Sequence, residues 1–243
     1  MPSTVFITGA SSGLGRGLAL RYAKEGATVY AAARRKDELD KLAKESPNIV
    51  PLQLDVQDTK ALVKAMQSSG PLDMVIANAG VGRPTPARKM DWEWVKRILD
   101  INATAACVTV AAALPAMVQR NAGHVVAISS LAAFRGLPGN AAYCASKAAL
   151  RIFMESVRAD LAKTKVRATT IYPGFVKTEL TAKNKFRMPF LMELDDAVKV
   201  MARGLARGAA TISYPLPMVA MTRAMAAIPR ALYEPLAGRM RTF

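Results

Sequence analysis

Short apolar runs alternate along the chain with longer stretches of helical periodicity. The runs are rich in β-branched residues, which is typical of strands buried on both faces of a parallel sheet. The predicted strands are Thr4–Thr8, Thr28–Ala33, Asn48–Leu54, Met74–Ala77, His124–Ile128, Arg167–Tyr172 and the strand-like run Thr211–Tyr214. The predicted helices include residues 14–26, Asp58–Gln67, Asp91–Met117, Asn140–Leu161 and Asp196–Arg207. This alternation implies βαβ units, and a chain of 243 residues is predicted to form one α/β domain.

The pattern changes after Thr178. Residues 179–243 are rich in Met and Phe with interleaved basic residues, and they are predicted to form a substrate lid and a C-terminal extension. The four prolines between Pro215 and Pro235 argue against a continuous membrane helix there. Ile101–Gln119 carries no charged residue, but its polar residues and many alanines favour a buried helix over a membrane span.

Composition and charge narrow the choice of partners. The net charge of +16 suits nucleic acid, an anionic membrane surface or a phosphate-bearing ligand. The basic residues are spread out, with no run of four, so nucleic acid is not expected. Cys107 and Cys144 lack metal-type spacing, so we expect reduced cysteines and no metal site. The N-terminus shows no signal-peptide pattern, which favours a cytoplasmic protein.

A glycine-rich loop follows the first strand directly and runs into a helix. Its glycines are Gly9, Gly13 and Gly15, in the spacing G-x-x-x-G-x-G. A strand, such a turn and a helix N-terminus together form a cradle for the pyrophosphate of a dinucleotide. The alternative reading, a glycine-rich loop without a ligand, is less favoured because of this position after the first strand.

Two arginines follow the second strand. An NAD site usually places an acidic residue near this position, whereas the arginines Arg34 and Arg35 suit the 2′-phosphate of NADP. Asp37 and Glu38, which come slightly later, fit the first turn of the next helix. NADP(H) is therefore the preferred cofactor, with NAD(H) as the alternative.

The stretch from Ser129 to Lys147 contains a Ser–Tyr–Lys set. Tyr143 and Lys147 are one helical turn apart on one face, so an ammonium there is expected to lower the tyrosine pKa towards a value useful for proton transfer. Ser130 ends the fifth strand, at the sheet edge where open α/β folds bind ligands. His124 opens that strand at the opposite end, which favours a structural role.

These motifs together resemble the short-chain dehydrogenase/reductase (SDR) family over nearly the whole chain. TGASSGLG matches the family's cofactor loop, and residues 77–80 match its NNAG segment with alanine replacing the first asparagine. Asn102 lies where the family has a catalytic asparagine, and residues 173–178 match PGxxxT. The resemblance implies a three-layer α/β/α Rossmann fold with a doubly wound parallel sheet of about seven strands.

The resemblance also implies site roles. Tyr143 is expected to act as the general acid/base, assisted by Ser130 and Lys147, with Asn102 positioning a water that relays protons from Lys147 to solvent. The residues expected to bind the cofactor are Gly9, Ser11, Ser12, Gly13, Leu14, Gly15, Arg34, Arg35, Asp55, Val56, Asn78, Ala79, Gly80, Tyr143, Lys147, Pro173, Gly174, Val176 and Thr178. Among them, the resemblance implies that Arg34 meets the 2′-phosphate, that Asp55 and Val56 hold the adenine, and that Asn78 to Gly80 flank the adenosine ribose. SDR relatives usually form dimers or tetramers, so a homodimer or homotetramer is expected.

The C-terminal region departs from the ketoacyl-reductase-like members and looks more like members that handle lipophilic ketones, aldehydes or steroids. The leading hypothesis is an NADP(H)-dependent carbonyl reductase or alcohol dehydrogenase of class EC 1.1.1.-, acting on a small-molecule and lipophilic substrate. The alternatives are a cofactor-binding regulatory or scaffold protein, or a membrane-peripheral SDR that uses NAD.

Overall fold

The chain is organised around one parallel sheet. A computed structural model describes residues 1–182 and 187–239, and within them the strands are β1 (Thr4–Thr8), β2 (Thr28–Ala33), β3 (Ile49–Gln53), β4 (Met74–Ala77), β5 (His124–Ile128), β6 (Arg167–Pro173) and β7 (Thr211–Tyr214). All neighbours pair in parallel, in the order β3-β2-β1-β4-β5-β6-β7. The order reverses between β1 and β4, and a crevice for ligands is expected at their carboxyl ends.

Helices cover both faces of this sheet. In the described part of the chain they are α1 (Gly13–Lys24), α2 (Lys36–Glu45), α3 (Thr59–Ser68), α4 (Trp92–Leu99), α5 (Ala106–Gln119), α6 (Ala141–Asp160), α7 (Glu179–Ala182), α8 (Leu194–Ala206), α9 (Leu216–Ala227) and α10 (Arg230–Arg239). The predicted three-layer Rossmann fold with about seven strands is confirmed.

Two hydrophobic cores lie on opposite faces of the sheet. Ile7 of β1 belongs to the core that includes Leu18 of α1 and Met201 of α8. The preceding residue, Phe6, belongs to the other core, with Leu150 of α6. Successive side chains of a strand point to opposite faces, so a run that is apolar at every position is what a sheet covered on both sides requires.

The predicted helix Asp91–Met117 contains one irregular turn in the structure. Asp91 caps α4 through its carboxylate, which accepts hydrogen bonds from the amides of Glu93 and Trp94. A π-helical turn, Asp100–Ala105, separates α4 from α5. The turn places one extra residue in the helix and thereby displaces the side chains that follow.

The continuous helical segment Trp92–Gln119 is long and apolar enough, by length and composition, to cross a membrane. Half of its most apolar window is buried inside the protein. In addition, α4 packs on α6, and α5 packs on β4 and β5. The segment is therefore a core helix of the fold, as its polar residues and alanines indicate.

The C-terminal region is more helical than its prolines suggest. The structure has two helices, α9 and α10, in the predicted C-terminal extension. Pro217 lies in the first turn of α9, where a missing amide hydrogen costs no helical hydrogen bond. Residues 183–186 and 240–243, which belong to the predicted lid and extension, lie outside the described residues.

Candidate active site

The predicted catalytic residues meet at the carboxyl edge of the sheet. Ser130 comes two residues after the end of β5. The backbone N–H of the preceding residue, Ser129, donates a hydrogen bond to the carbonyl of Ile171 in β6 at 2.8 Å. Tyr143 and Lys147 lie in the first two turns of α6, and their side chains point back towards this edge. The fold thus brings together three residues spread over eighteen positions of the chain.

The side chain of Ser130 lies next to the phenol of Tyr143. The Ser130 hydroxyl oxygen also accepts a hydrogen bond from the Ala132 amide at 3.2 Å, which fixes the serine rotamer. Burial raises the pKa of Tyr143, and the Ser130 side chain acts in the opposite direction by favouring the phenolate. The phenol is therefore protonated at neutral pH and ready to donate a proton.

Lys147 is almost fully buried, with 4% of its surface exposed. Its Nζ donates a hydrogen bond to the carbonyl of Ile128 at 2.8 Å and lies 5.9 Å from the centroid of the Tyr143 ring. Burial lowers the pKa of Lys147 to about 8. The sequence-based expectation that Lys147 lowers the tyrosine pKa does not describe this structure, because burial of the phenol dominates and the ammonium faces a backbone carbonyl.

Asn102 lies in the π-helical turn and is completely buried. Its Oδ1 accepts the amide of Val81 at 2.8 Å, while Nδ2 donates to the carbonyl of Val81 at 2.9 Å and to the hydroxyl of Ser146 at 3.2 Å. A Cβ added at Gly80 would lie 3.4 Å from Asn102 Oδ1 and 3.6 Å from Lys147 Nζ. These are ordinary contact distances, so the Gly80 backbone lies directly beside both polar groups.

The glycine-rich loop has the geometry of an anion cradle. Gly9 has φ of +68°, and a Cβ there would lie 2.7 Å from the Cα of Ala79. Ser12 precedes α1 but makes no capping hydrogen bond with its side chain, and no acidic residue occupies the first turn. The first amides of α1, from Gly13 to Gly15, are therefore available to an anionic ligand and meet no competing carboxylate on their own helix.

Asn78 and Thr8 hold this loop against the end of β4. Asn78 Nδ2 donates to the carbonyls of Thr8 at 2.9 Å and of Gly9 at 3.1 Å. The Thr8 hydroxyl accepts the amides of Asn78 at 3.0 Å and of Ala79 at 3.1 Å. The predicted ribose contact of Asn78 therefore belongs to its backbone region, because its side chain braces the loop.

The two arginines after β2 take different partners. Arg34 lies 3.8 Å from the Asp55 carboxylate, and both side chains are largely exposed. Arg35 donates to the Ser11 hydroxyl from Nε at 3.3 Å and from Nη2 at 3.2 Å. Its Nη1 also donates to the carboxylate of Glu179 at 2.8 Å. Both guanidinium groups thus lie beside the predicted adenosine site, next to the glycine-rich loop.

The segment from Pro173 to Thr178 closes the site from the β6 side. Ser130 Oγ lies 3.5 Å from the carbonyl of Pro173. A Cβ added at Gly174 would lie 2.6 Å from Sδ of Met218, so α9 packs directly on this turn. Val176 is buried in the core, which leaves only its backbone for a ligand. Val56, on the opposite side, is buried with Ile101.

Comparisons with known proteins place the chain in a family. The short chain dehydrogenase family model matches residues 3–188. The chain belongs to the short-chain dehydrogenase family. An uncharacterized oxidoreductase of Myxococcus xanthus is 50% identical over 246 residues, covering 98% of this chain and 97% of that protein.

Two solved SDR structures share the fold. A short chain dehydrogenase from Burkholderia cenocepacia in complex with NADP is 29% identical, with a TM-score of 0.84 and coverage of 96% of this chain and 97% of that one. A short-chain dehydrogenase from Sphingobium yanoikuyae in complex with NADPH is 27% identical, with a TM-score of 0.83 and coverage of 98% and 96%. The ligands of both relatives agree with the predicted cofactor.

Several residues that shape this SDR site carried no signal in the sequence. Ser129 donates from its hydroxyl to the carbonyl of Lys147 at 2.9 Å, and Ser146 donates to the carbonyl of Tyr143 at 2.7 Å. These hydroxyls fix the helix turn that carries Tyr143 and Lys147. Thr8, Glu179 and Met218 were also missed, because each acts on a segment far away in the chain.

Within residues 1–182 and 187–239, no three His, Cys, Asp or Glu side chains lie together in a way that would hold a metal ion. Both cysteines are free thiols. Burial raises the pKa of Cys107 to about 11, and burial also raises the pKa of Cys144. Both thiols are therefore protonated packing residues at neutral pH.

Proposed function

We propose that this oxidoreductase is an NADP(H)-dependent carbonyl reductase or alcohol dehydrogenase of class EC 1.1.1.-. The observation that carries the proposal is the meeting of Ser130, Tyr143 and the buried Lys147 at the sheet edge next to the glycine-rich loop. A phenol, a hydroxyl and an ammonium arranged in this way can protonate and orient a carbonyl oxygen as it becomes an alkoxide.

The bound nicotinamide would supply the hydride that reduces the substrate carbonyl carbon. Tyr143 donates its proton to the carbonyl oxygen, and Ser130 donates a hydrogen bond to the same oxygen. The phenolate left on Tyr143 is favoured by the neighbouring Ser130 hydroxyl. Lys147 Nζ lies 5.9 Å from the centroid of the same ring. Reprotonation of the phenolate from solvent completes the turnover, and the reverse sequence oxidises an alcohol.

The chain's own residues fit a dinucleotide with a 2′-phosphate. The uncapped amides at the start of α1 suit the pyrophosphate, and Arg34 and Arg35 offer guanidinium groups beside the adenosine position. The relatives that hold NADP and NADPH support the same choice. We assign NADP(H) as the preferred cofactor, with NAD(H) as a weaker one.

The walls of the site favour a lipophilic substrate. Leu131, Tyr172 and Val219 form a buried cluster with Phe134 and Met218 packed against it. This cluster joins the loop after Ser130 to α9, and we propose that the substrate chain extends along it from the reacting carbonyl. Methionine side chains adapt to irregular apolar ligands, so a ketone or aldehyde with an apolar substituent is the proposed substrate class.

Replacing the catalytic phenol tests the mechanism. The wild type is expected to oxidise NADPH in the presence of ketones or aldehydes with apolar substituents. Tyr143→Phe removes the proton donor and keeps the ring, so kcat should fall by a factor of about 10²–10⁴. NADPH oxidation followed at its near-ultraviolet absorbance gives kcat, and fluorescence titration gives the NADPH dissociation constant, which should change little.

Tyr22→Phe serves as the matched control, because Tyr22 is a buried tyrosine of α1 that belongs to the core away from the site. Its kcat should equal that of the wild type. Unchanged turnover in Tyr143→Phe would contradict the assigned role. Tight NADPH binding with no activity on a broad carbonyl panel would instead support the alternative of a cofactor-binding scaffold, which the juxtaposed Ser130, Tyr143 and Lys147 do not favour.

We also propose that the enzyme assembles as a homodimer or homotetramer through the long helices. Exposed apolar side chains on these helices, Trp92, Val118 and Ile152, would then be covered by a second copy. The cytoplasmic location and the contact with an anionic membrane surface stay predictions from charge and sequence pattern.

A further inference from the structure

An ion pair connects the cofactor side of the site to α7. The guanidinium of Arg35 donates to the carboxylate of Glu179 at 2.8 Å across 144 positions of the chain. The same guanidinium donates from Nε and Nη2 to the hydroxyl of Ser11 in the glycine-rich loop. Arg35 therefore contacts the loop through Nε and Nη2 and the Glu179 carboxylate through Nη1.

The short helix that begins with Glu179 lies between the cofactor loop and the catalytic tyrosine. A Cβ added at Gly13 would lie 3.3 Å from Cγ2 of Thr178, the residue before this helix. A Cβ added at Gly82 would lie 3.5 Å from Cδ1 of Leu180 and 3.8 Å from the ring of Tyr143. The Glu179 carboxylate is thus held at the cofactor side of the helix, while its neighbour Leu180 lies near Tyr143.

Arg35 lies next to Arg34, the residue expected to meet the 2′-phosphate, and its guanidinium is within reach of the same position as proposed above. It directly precedes α2 and follows β2, whose carboxyl end carries the residues that meet the adenosine ribose in a Rossmann fold. A guanidinium binds a phosphate through paired, charge-assisted hydrogen bonds, and a carboxylate binds the same group in the same way. Phosphate and Glu179 therefore compete for Arg35.

We propose that Glu179 is a specificity-determining residue that opposes the binding of NADP(H) relative to NAD(H). The inference rests on the proposed nicotinamide cofactor. A 2′-phosphate entering beside Arg35 must displace the Glu179 carboxylate and meets its negative charge. A cofactor with a free 2′-hydroxyl leaves the ion pair in place. Binding of a 2′-phosphate also breaks the bond by which Arg35 holds Glu179, the first residue of α7. Phosphate binding therefore affects the helix that lies next to Tyr143.

The size of the effect follows from the exposure of the pair. The side chains are 46% and 61% exposed, and ion pairs at such sites are weak because solvent screens them. Removing the carboxylate charge should therefore tighten binding of a 2′-phosphate by about two- to fivefold. The effect should shrink as the salt concentration rises.

Fragments of the cofactor isolate this interaction from catalysis. The dissociation constants of adenosine 2′,5′-bisphosphate and of 5′-AMP are measured by calorimetry with wild type and Glu179→Gln, and those of NADPH and NADH by fluorescence. Glu179→Gln should bind the bisphosphate and NADPH about two- to fivefold more tightly, with 5′-AMP and NADH unchanged. In an Arg35→Ala background, the same change should have no effect.

Glu193→Gln is the matched control, because it removes the same charge from an exposed pair with Lys177 at 3.2 Å that does not involve Arg35. It should leave both fragments unchanged. Equal shifts for the two fragments, or no shift for the bisphosphate in Glu179→Gln, would overturn the proposal. So would failure of the wild type to bind either fragment, whereas a lack of carbonyl turnover with normal fragment binding would overturn only the proposed reaction.

Discussion

Asn102 shows how one buried side chain joins three segments around the active site. Its amide group makes hydrogen bonds with both backbone groups of Val81 and with the hydroxyl of Ser146. Val81 follows the loop that braces the cofactor cradle, and Ser146 lies between Tyr143 and Lys147. The amide therefore fixes the distance between the cofactor cradle and the catalytic helix, in addition to any part it takes in proton transfer.

Asn102→Ala should destabilise the protein and slow the reaction together. The substitution leaves the partly buried amide and carbonyl of Val81 without their partners, at a cost of ~2 kcal/mol in the free energy of unfolding. Urea unfolding measures this loss, and kcat at saturating NADPH measures the effect on the reaction.

Asn48→Ala provides the comparison. Asn48 donates one hydrogen bond, to the carbonyl of Ala23 at 3.0 Å, on the far side of the molecule from Tyr143. It should lower the free energy of unfolding by ~1 kcal/mol and leave kcat unchanged. An Asn102→Ala protein as stable as the wild type would show that the three contacts do not hold the segments together.

At the scale of residues, the sequence predicts the reacting side chains but not the side chains that hold them in place. Ser130, Tyr143 and Lys147 were predicted because their order and spacing form a motif. Ser129 and Ser146, which fix the same helix turn, look like ordinary helix and strand-end serines, because their partners are backbone carbonyls that no spacing identifies. The raised pKa of Tyr143 was also missed, since burial is a property of the fold and not of the motif.

At the scale of elements, α10 is tied to the loop that follows Ser130. The hydroxyl of Tyr233 donates to the carbonyl of Gly136 at 2.6 Å, and the guanidinium of Arg135 lies 3.9 Å from the centroid of the Tyr233 ring. Arg135 also donates to the carbonyl of Ala226 in α9 at 3.5 Å. Both C-terminal helices therefore hold this loop, which carries Phe134 of the proposed substrate wall.

Loosening α10 should weaken substrate binding more than chemistry. Tyr233→Phe removes one hydrogen bond and keeps the ring, so KM for a lipophilic ketone should rise roughly two- to tenfold with little change in kcat. Tyr233→Ala also removes the ring beneath Arg135 and should raise KM further. Steady-state kinetics at saturating NADPH gives both constants.

Glu234→Gln is a suitable control on the same helix, since Glu234 pairs with Arg230 at 2.6 Å on the surface. Its KM should match that of the wild type. Equal KM values for wild type and Tyr233→Ala would show that the substrate does not use the loop held by α10.

The sequence predicted the strands better than the C-terminal helices. Buried parallel strands are short apolar runs, so their predicted bounds agree with β1, β2, β4 and β5. In α9 and α10 the apolar residues lie on exposed as well as buried faces, and prolines interrupt the pattern. Packing on the Ser130 loop stabilises these helices, and this tertiary contact has no local signature.

At the scale of the molecule, the fold keeps its one histidine neutral. His124 is buried, and its Nε2 lies 2.8 Å from the hydroxyl of Thr169, which itself donates to the carbonyl of Ala209. Nε2 therefore carries the proton. Burial, and to a smaller extent the positive charge of Arg167, lowers the pKa of His124 to about 3. This end of β5 lies opposite the active site, as its position in the sequence indicates.

The neutral histidine should make the fold less stable in acid. Unfolding restores an ordinary histidine pKa, so the unfolded chain takes up a proton below about pH 6.5 while the folded protein stays neutral until about pH 3. Between pH 7.5 and 4.5 this difference should remove ~2–3 kcal/mol of the free energy of unfolding.

His124→Leu removes the titrating group and should show a correspondingly smaller loss across the same pH interval, whatever its stability at pH 7.5. Urea unfolding of both proteins at several pH values measures the two slopes. Parallel slopes would mean that His124 titrates normally in the folded protein.

The geometry of the active site depends on the number of residues in the π-helical turn Asp100–Ala105. Each residue added to a helix turns the following side chains by about 100°. Loss of one residue from this turn would restore a regular helix, yet it would rotate α4 against α5 and move the Asn102 amide away from Val81. Deletions in this segment therefore act on catalysis even when every active-site residue is retained, whereas substitutions of the exposed residues around it leave the alignment intact.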